Sequence, residues 1–162
     1  MPTSIKQALK KWEEASGRKA ADSREIKLIG VSPPIEKMEG PFHLLSNLER
    51  FSLSTNQISA VANLQAFKNL KLLSLGRNLI KSLQGIEAAA DTLEQLWISY
   101  NQIDKLKPLR NMTKLKVTGW KSCRCFDPAA ATAVIVAAAV AAAFKFSAAA
   151  VIAAATTSIL LL

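Results

Sequence analysis

Three stretches decide the fold: Leu48-Glu-Arg-Phe51-Ser-Leu53-Ser-Thr-Asn56-Gln-Ile58, Leu70-Lys-Leu-Leu73-Ser-Leu75-Gly-Arg-Asn78-Leu-Ile80 and Leu93-Glu-Gln-Leu96-Trp-Ile98-Ser-Tyr-Asn101-Gln-Ile103. All three read L-x-x-L-x-L-x-x-N-x-I, with Phe51 and Ile98 as apolar stand-ins. The asparagines lie 22 and then 23 residues apart. Self-similarity at a fixed period of this length marks a stacked repeat, in which each unit buries its apolar face only against its neighbours.

The spacing within the template sets the local geometry. Phe51 and Leu53, Leu73 and Leu75, and Leu96 and Ile98 alternate at period two, as in a strand with one buried face. Parallel strands centred on these pairs are therefore expected. Asn56, Asn78 and Asn101 fall where each strand must bend, and their amides can satisfy backbone groups exposed there, as an Asn ladder. After each asparagine the apolar period becomes three, as in Ile58, Val61, Leu64, Phe67 and Leu70, or Ile103, Leu106, Leu109, Met112 and Leu115. Period three is the spacing of a tight helical return path. In the middle run, Ile80, Leu83 and Ile86 are followed by an extra residue near Ala88–Ala90, which accounts for the longer spacing. The sum is an α/β leucine-rich-repeat solenoid, with a parallel β-sheet on the concave face and short helices on the convex face.

Outward from the repeats, residues 1–24 read as an N-terminal capping helix and linker. Ser4 and Gln7 have the spacing of a capping box, Ile5, Ala8, Leu9, Trp12 and Ala15 share one face, and Gly17 supplies the stop. Trp12 is read as a core anchor. The repeats occupy 25–117. Ile26 and Leu28 begin a partial first repeat, in which Pro33-Pro34 replaces the asparagine. Leu115 opens a fourth copy, but Thr118 and Trp120 take its next apolar positions, and the template fails after about Val117.

Residues 118–162 form a divergent, Ala-rich segment of doubtful identity. From Ala129 to Leu162, 16 of 34 residues are alanine and Lys145 is the only charge. A tail anchor, a buried helical cap on the solenoid, and a stretch whose alanine triplets stand in for other side chains or reflect a shifted reading frame all fit. The expectation is packing against the end of the solenoid rather than crossing a bilayer, and no function is drawn from it.

The net charge is +9, and residues 1–117 hold 18 Lys or Arg against 11 Asp or Glu, or +7. Such a surplus favours an acidic partner; nucleic acid, an anionic membrane and the acidic surface of a microtubule all have that chemistry. It is equally compatible with simple solubility. The two cysteines, Cys123 and Cys125, give no disulfide framework, which fits a reducing cytosolic compartment, and C-x-C with the distant His43 makes a poor zinc site. No apolar signal segment opens the chain. Phosphate-loop, zinc-protease and nucleophile-elbow signatures are absent, so no enzyme, cofactor or metal is expected.

The candidate interface lies on the concave face. Outward positions are Arg50, Ser52, Ser54 and Thr55; Leu72, Ser74, Gly76 and Arg77; and Gln95, Trp97, Ser99 and Tyr100. Small serines and glycine leave Leu72, Trp97 and Tyr100 standing out, and an exposed aromatic cluster rimmed by polar groups marks a partner site. Leu72, Arg77, Trp97, Ser99 and Tyr100 are the predicted contacts. Lys105, Lys107, Arg110, Lys114 and Lys116 are assigned to the convex side, as a second surface for an acidic partner or as a solvated face.

Some residues go beyond the template. Pro33-Pro-Ile-Glu-Lys-Met38, Leu53-Ser-Thr-Asn56, Leu73-Ser-Leu-Gly-Arg-Asn78-Leu-Ile80, Asp91-Thr-Leu-Glu-Gln-Leu-Trp-Ile-Ser-Tyr-Asn101 and Ala8-Leu-Lys-Lys-Trp-Glu-Glu14 make residues 3–117 resemble the axonemal outer-arm dynein light chain 1 family. The resemblance implies a non-catalytic subunit of the ciliary axoneme, in the cytoplasm and cytoskeleton. It implies binding to the dynein heavy chain at its microtubule-binding domain, tuning of motor–microtubule contact, and possible contact with tubulin. Nucleic acid and membrane are not expected partners on this reading. The chain departs from the family after Val117, where further repeats and a C-terminal helical segment would follow, so contacts made there do not transfer. The alternatives are a leucine-rich-repeat regulatory subunit of a protein phosphatase and a tail-anchored adaptor.

Overall fold

The computed structural model describes residues 1–104 and 107–119. Five short strands, β1 (Glu25–Lys27), β2 (Arg50–Ser52), β3 (Leu72–Ser74), β4 (Gln95–Trp97) and β5 (Val117–Gly119), pair in parallel in the order of the chain. Ile26, Phe51, Leu73, Leu96 and Thr118 stand in one row across the sheet. The strands are three residues long and end just before Leu53, Leu75 and Ile98, but the backbone ladder continues beyond them. Leu53 N–H donates to Ser74 O at 2.8 Å and Leu75 N–H to Trp97 O at 2.7 Å. Strand β5 persists across Thr118, where the apolar pattern has already failed, because its pairing with β4 is made by backbone groups.

The asparagines do what their position demands. Asn78 is buried; its Oδ1 accepts the Ile58 N–H at 3.0 Å, and its Nδ2 reaches Leu53 O at 3.1 Å and Leu75 O at 3.0 Å. Asn101 repeats this toward Ile80 N–H, Leu75 O and Ile98 O. Asn56 does so toward Ile35 N–H, Leu28 O and Leu53 O, so the proline-bearing first coil is also closed by an asparagine, that of the next repeat. Each amide therefore serves backbone of its own coil and of the coil before it.

The period-three runs become the convex return path, with single 3-10 turns at Phe42–Leu44, Leu64–Ala66, Ile86–Ala89 and Lys107–Asn111. The turn at Ile86–Ala89 is one residue longer than that at Leu64–Ala66 and buries Ala89, which absorbs the extra residue of the 23-residue repeat. Gly85 enters it at φ +95°, and a Cβ there would lie 3.0 Å from the Val61 carbonyl oxygen, so a side chain is excluded by both conformation and space.

The core is one continuous file of buried side chains running from Ile5 to Leu115. Toward the first coils it holds three aromatics that meet edge-on or tilted. Phe42 and Phe67 centroids are 5.0 Å apart, Phe51 and Phe67 5.6 Å, and Phe42 and Phe51 6.1 Å. This explains why the first full repeat has Phe51 where the others have leucine. Helix α1 (Ile5–Ser16) closes that end. Its capping box forms between Ser4 and Gln7, and Gly17 terminates it at φ 67°. Ile5, Ala8 and Leu9 are buried, Trp12 is half-buried against the same core, and Ala15 is exposed, so the apolar stripe is one turn shorter than its spacing predicts. Gly40 lets the helix close in, since a Cβ there would meet Ile5 Cγ2 at 3.1 Å.

A row of charges runs along the entry edge of the sheet, one residue before each strand: Arg24, Glu49, Lys71, Glu94 and Lys116. Their signs alternate. Lys71 Nζ lies 3.0 Å from Glu49 Oε2, Lys116 Nζ 2.9 Å from Glu94 Oε2, and Arg24 3.9 Å from Glu49. The hydrogen bond from Lys71 and its charge hold the Glu49 carboxyl below its ordinary range; Lys116 does the same for Glu94. Lys116 thus belongs to the strand edge rather than to the convex face, because it immediately precedes β5. Lys107 and Lys114 are exposed, while Lys105, the Arg110 side chain, Cys123, Cys125 and the Ala-rich segment lie outside the described residues. Among the described residues, no helix is long and apolar enough to cross a membrane.

Replacing Asn78 with Ala leaves the buried Ile58 N–H without its acceptor and removes one of the two asparagine donors from each of Leu53 O and Leu75 O, and a loss of about 1–3 kcal/mol is expected in urea denaturation. An unchanged midpoint would mean the amide is not what closes the bend. The charge row predicts a pH dependence with a definite sign. Carboxyls held low in the folded state contribute stability that is complete above the ordinary glutamate pKa of about 4.3 and lost as pH falls through the lowered value. Changing Glu49 and Glu94 together to Gln should therefore flatten the fall in denaturation midpoint below about pH 5. Parallel decline of variant and wild type would show that the row does not contribute.

Candidate partner-binding face

Two outward rows cross the concave side of the sheet. Arg50, Leu72 and Gln95 are in register in one; Lys27, Ser52, Ser74 and Trp97 are in register in the other. The buried members of the same strands, Phe51, Leu73 and Leu96, point into the core, so their neighbours must face out. Trp97 keeps 44% of its surface exposed, and Leu72 is half-buried. Ser52 and Ser74 share the row with Trp97 and are too short to cover it. Ser74 is held by a 2.7 Å hydrogen bond between its Oγ and that of Ser54.

These rows enclose a shallow concavity of about 240 Å³, lined by Leu72, Ser74 and Trp97 at one side and by Glu25, Lys27, Arg50 and Ser52 at the other. Glu25 and Lys27 pair at 3.1 Å. Neither is among the predicted contacts. The signal for both was present: once Ile26 and Leu28 are read as a strand, the residues flanking Ile26 must point outward.

The structure separates the predicted contacts into two pairs. Leu72 and Trp97 line the concavity. Arg77 and Tyr100, expected at outward strand positions, lie past the strands in the bend that precedes each ladder asparagine. The reason is conformational. Gly30, Thr55, Arg77 and Tyr100 occupy equivalent places, and all four have left-handed backbone, at φ 60°, 59°, 55° and 59°. That turn swings the chain out of the sheet, while the ladder is still completed by Thr55 N–H to Gly76 O at 2.9 Å and Arg77 N–H to Ser99 O at 2.8 Å. A non-glycine residue is strained there, typically by about 1–2 kcal/mol, and only Gly30 hints at it in the sequence. Ser99 is half-buried between the pairs and supplies its carbonyl to Arg77.

At the rim the Arg77 guanidinium carbon sits 5.1 Å from the centre of the Tyr100 ring, a cation–π contact between adjacent coils. Tyr100 remains 51% exposed. His43, the one histidine, is exposed on the turn at Phe42–Leu44. Among the described residues no group of three or more His, Cys, Asp or Glu side chains could hold a metal ion. The arrangement offers a surface with exposed apolar side chains on the sheet and a charged group at its rim.

The chain is similar to proteins named dynein axonemal light chain 1. It is 61% identical to that of Danio rerio over 95 residues, covering 59% of this chain and 50% of the relative. It is 56% identical to that of Homo sapiens over 93 residues, covering 57% and 49%. With that of Chlamydomonas reinhardtii it shares 44% over 97 residues, covering 60% and 49%. The chain thus spans about half the length of the curated relatives it matches. No family model matches it. Among solved structures, internalin C2 of Listeria monocytogenes superposes with a TM-score of 0.59 at 22% identity, over 81% of this chain and 61% of that one, a likeness of leucine-rich-repeat fold alone.

Proposed function

We propose that the chain acts as a non-catalytic light chain of axonemal outer-arm dynein, in the cytoskeleton of the cilium. Its concave face binds the dynein heavy chain in the microtubule-binding region of the stalk, and that contact tunes the motor. The observation that carries the reading is the likeness to axonemal dynein light chains. A sheet face that leaves Trp97 in solvent supports it, since a large exposed aromatic in a rigid concavity is the form of an interface anchor.

The mechanism is binding by a preformed surface. Strands β3 and β4 hold Leu72 and Trp97 in adjacent rows of one sheet, backed by buried core residues, so little ordering is needed on association. Ser52 and Ser74 allow a partner backbone close approach to the sheet. The exposed Lys107, on the 3-10 turn of the return path, suits a weaker electrostatic contact with an acidic surface such as tubulin.

Titration of the isolated stalk-tip fragment of the heavy chain tests this. Trp97→Ala should weaken binding by roughly 30-fold, the equivalent of about 2 kcal/mol for a hot-spot residue. Circular dichroism should show the fold intact. Lys107→Ala should leave affinity nearly unchanged and alter only its salt dependence. Wild-type affinity in a folded Trp97→Ala variant would remove the concave face as the site.

A further inference from the structure

We infer that Arg77 and Tyr100 form a carboxylate clamp at the rim of the concave face, and that the partner segment carries an acidic side chain beside the apolar group that meets Trp97. The inference rests on the concave face being the partner surface and adds the partner's chemistry.

Four observations support it. First, among the described residues Arg77 takes part in no ion pair; this it shares with Arg18 and Arg50, and what sets it apart is the ring beneath it. Second, Arg77 is exposed yet held. Its guanidinium lies over the Tyr100 ring at 5.1 Å, and its backbone is fixed by the left-handed bend and by the bond to Ser99 O. A guanidinium stacked on a ring keeps its edge donors free, and these match the two oxygens of a carboxylate. Third, the row it belongs to, Gly30, Thr55, Arg77 and Tyr100, contains a single cation. One positive charge suits a carboxylate monoanion better than a phosphate dianion. Fourth, Arg77 lies three residues beyond Ser74, the register partner of Trp97. Three residues of chain reach at most about 10 Å, so the Arg77 backbone lies within that distance of the row that holds Trp97, close enough for one partner segment to meet both.

Tyr100 is then a positioning residue. It holds the guanidinium through the face of its ring, so the hydroxyl is dispensable and the ring is not.

The clamp is tested first without the heavy chain. The Nε–H resonance of Arg77 is followed while poly-L-glutamate is added to the full chain. It should respond at lower concentration than those of Arg18, Arg24 and Arg50. Tyr100→Phe should keep that preference and Tyr100→Leu should abolish it. An Arg77 that responds no earlier than the other three, or is unchanged in Tyr100→Leu, overturns the clamp. So does a stronger response to inorganic phosphate than to glutamate at equal charge. The second arm uses the heavy-chain stalk-tip fragment. Arg77→Gln should lose about tenfold in affinity and much of its salt dependence, and Arg77→Lys should recover only part of it. Wild-type affinity in Arg77→Gln alongside a weakened Trp97→Ala overturns the clamp and keeps the concave face. Wild-type affinity in both variants overturns the two together.

Discussion

A buried asparagine amide at each bend is the constraint from which the rest follows. The chain must turn sharply out of a strand whose other side is core, and that turn strands an N–H and two carbonyls away from water. Burying such groups without partners costs a few kcal/mol each. Asn56, Asn78 and Asn101 meet the cost with one side chain per coil, donating to two carbonyls and accepting one N–H. The amide carries an acceptor oxygen and a two-hydrogen donor on one short side chain, which suits it to all of these groups at once, whereas Phe51 or Ile98 need only fill space.

Once the bends are closed, the faces divide their tasks. Apolar residues at period two and three fill the file between sheet and return path. The concave rows, free of packing duties, hold serine where room is needed and Leu72, Arg50 and Trp97 where contact is wanted. The proposed partner surface is therefore rigid because of what lies behind it. The alternating charges from Arg24 to Lys116 act on a different edge and settle neighbouring strands against one another.

The repeats were legible because two independent periods and a fixed asparagine coincide. The capping helix was legible from Ser4, Gln7 and Gly17. The left-handed row was not, because Thr55, Arg77 and Tyr100 are residue types that seldom adopt that backbone, and spacing alone extends the strand through them. For the same reason the candidate contacts read as one patch in the sequence but lie in two places, Leu72 and Trp97 on the sheet and Arg77 and Tyr100 at the bend. The charge row is hidden in the sequence for another reason: its members are 22 to 25 residues apart, and their alternation appears only when strands are set side by side. Strand β5 outlasted its template because hydrogen-bonded pairing does not require Leu where Thr118 stands.

The amides also give the molecule a direction. Each one reaches back: Asn78 holds Ile58 and Leu53 of the preceding coil, and Asn101 holds Ile80 and Leu75. A coil peeled away at its C-terminal side therefore uncaps the coil it leaves behind. Tension applied from the N-terminal side instead meets α1 and the cluster of Phe42, Phe51 and Phe67 first, with every later bend still closed. For a protein proposed to ride on a motor stalk, mechanical resistance then depends on which end bears the load.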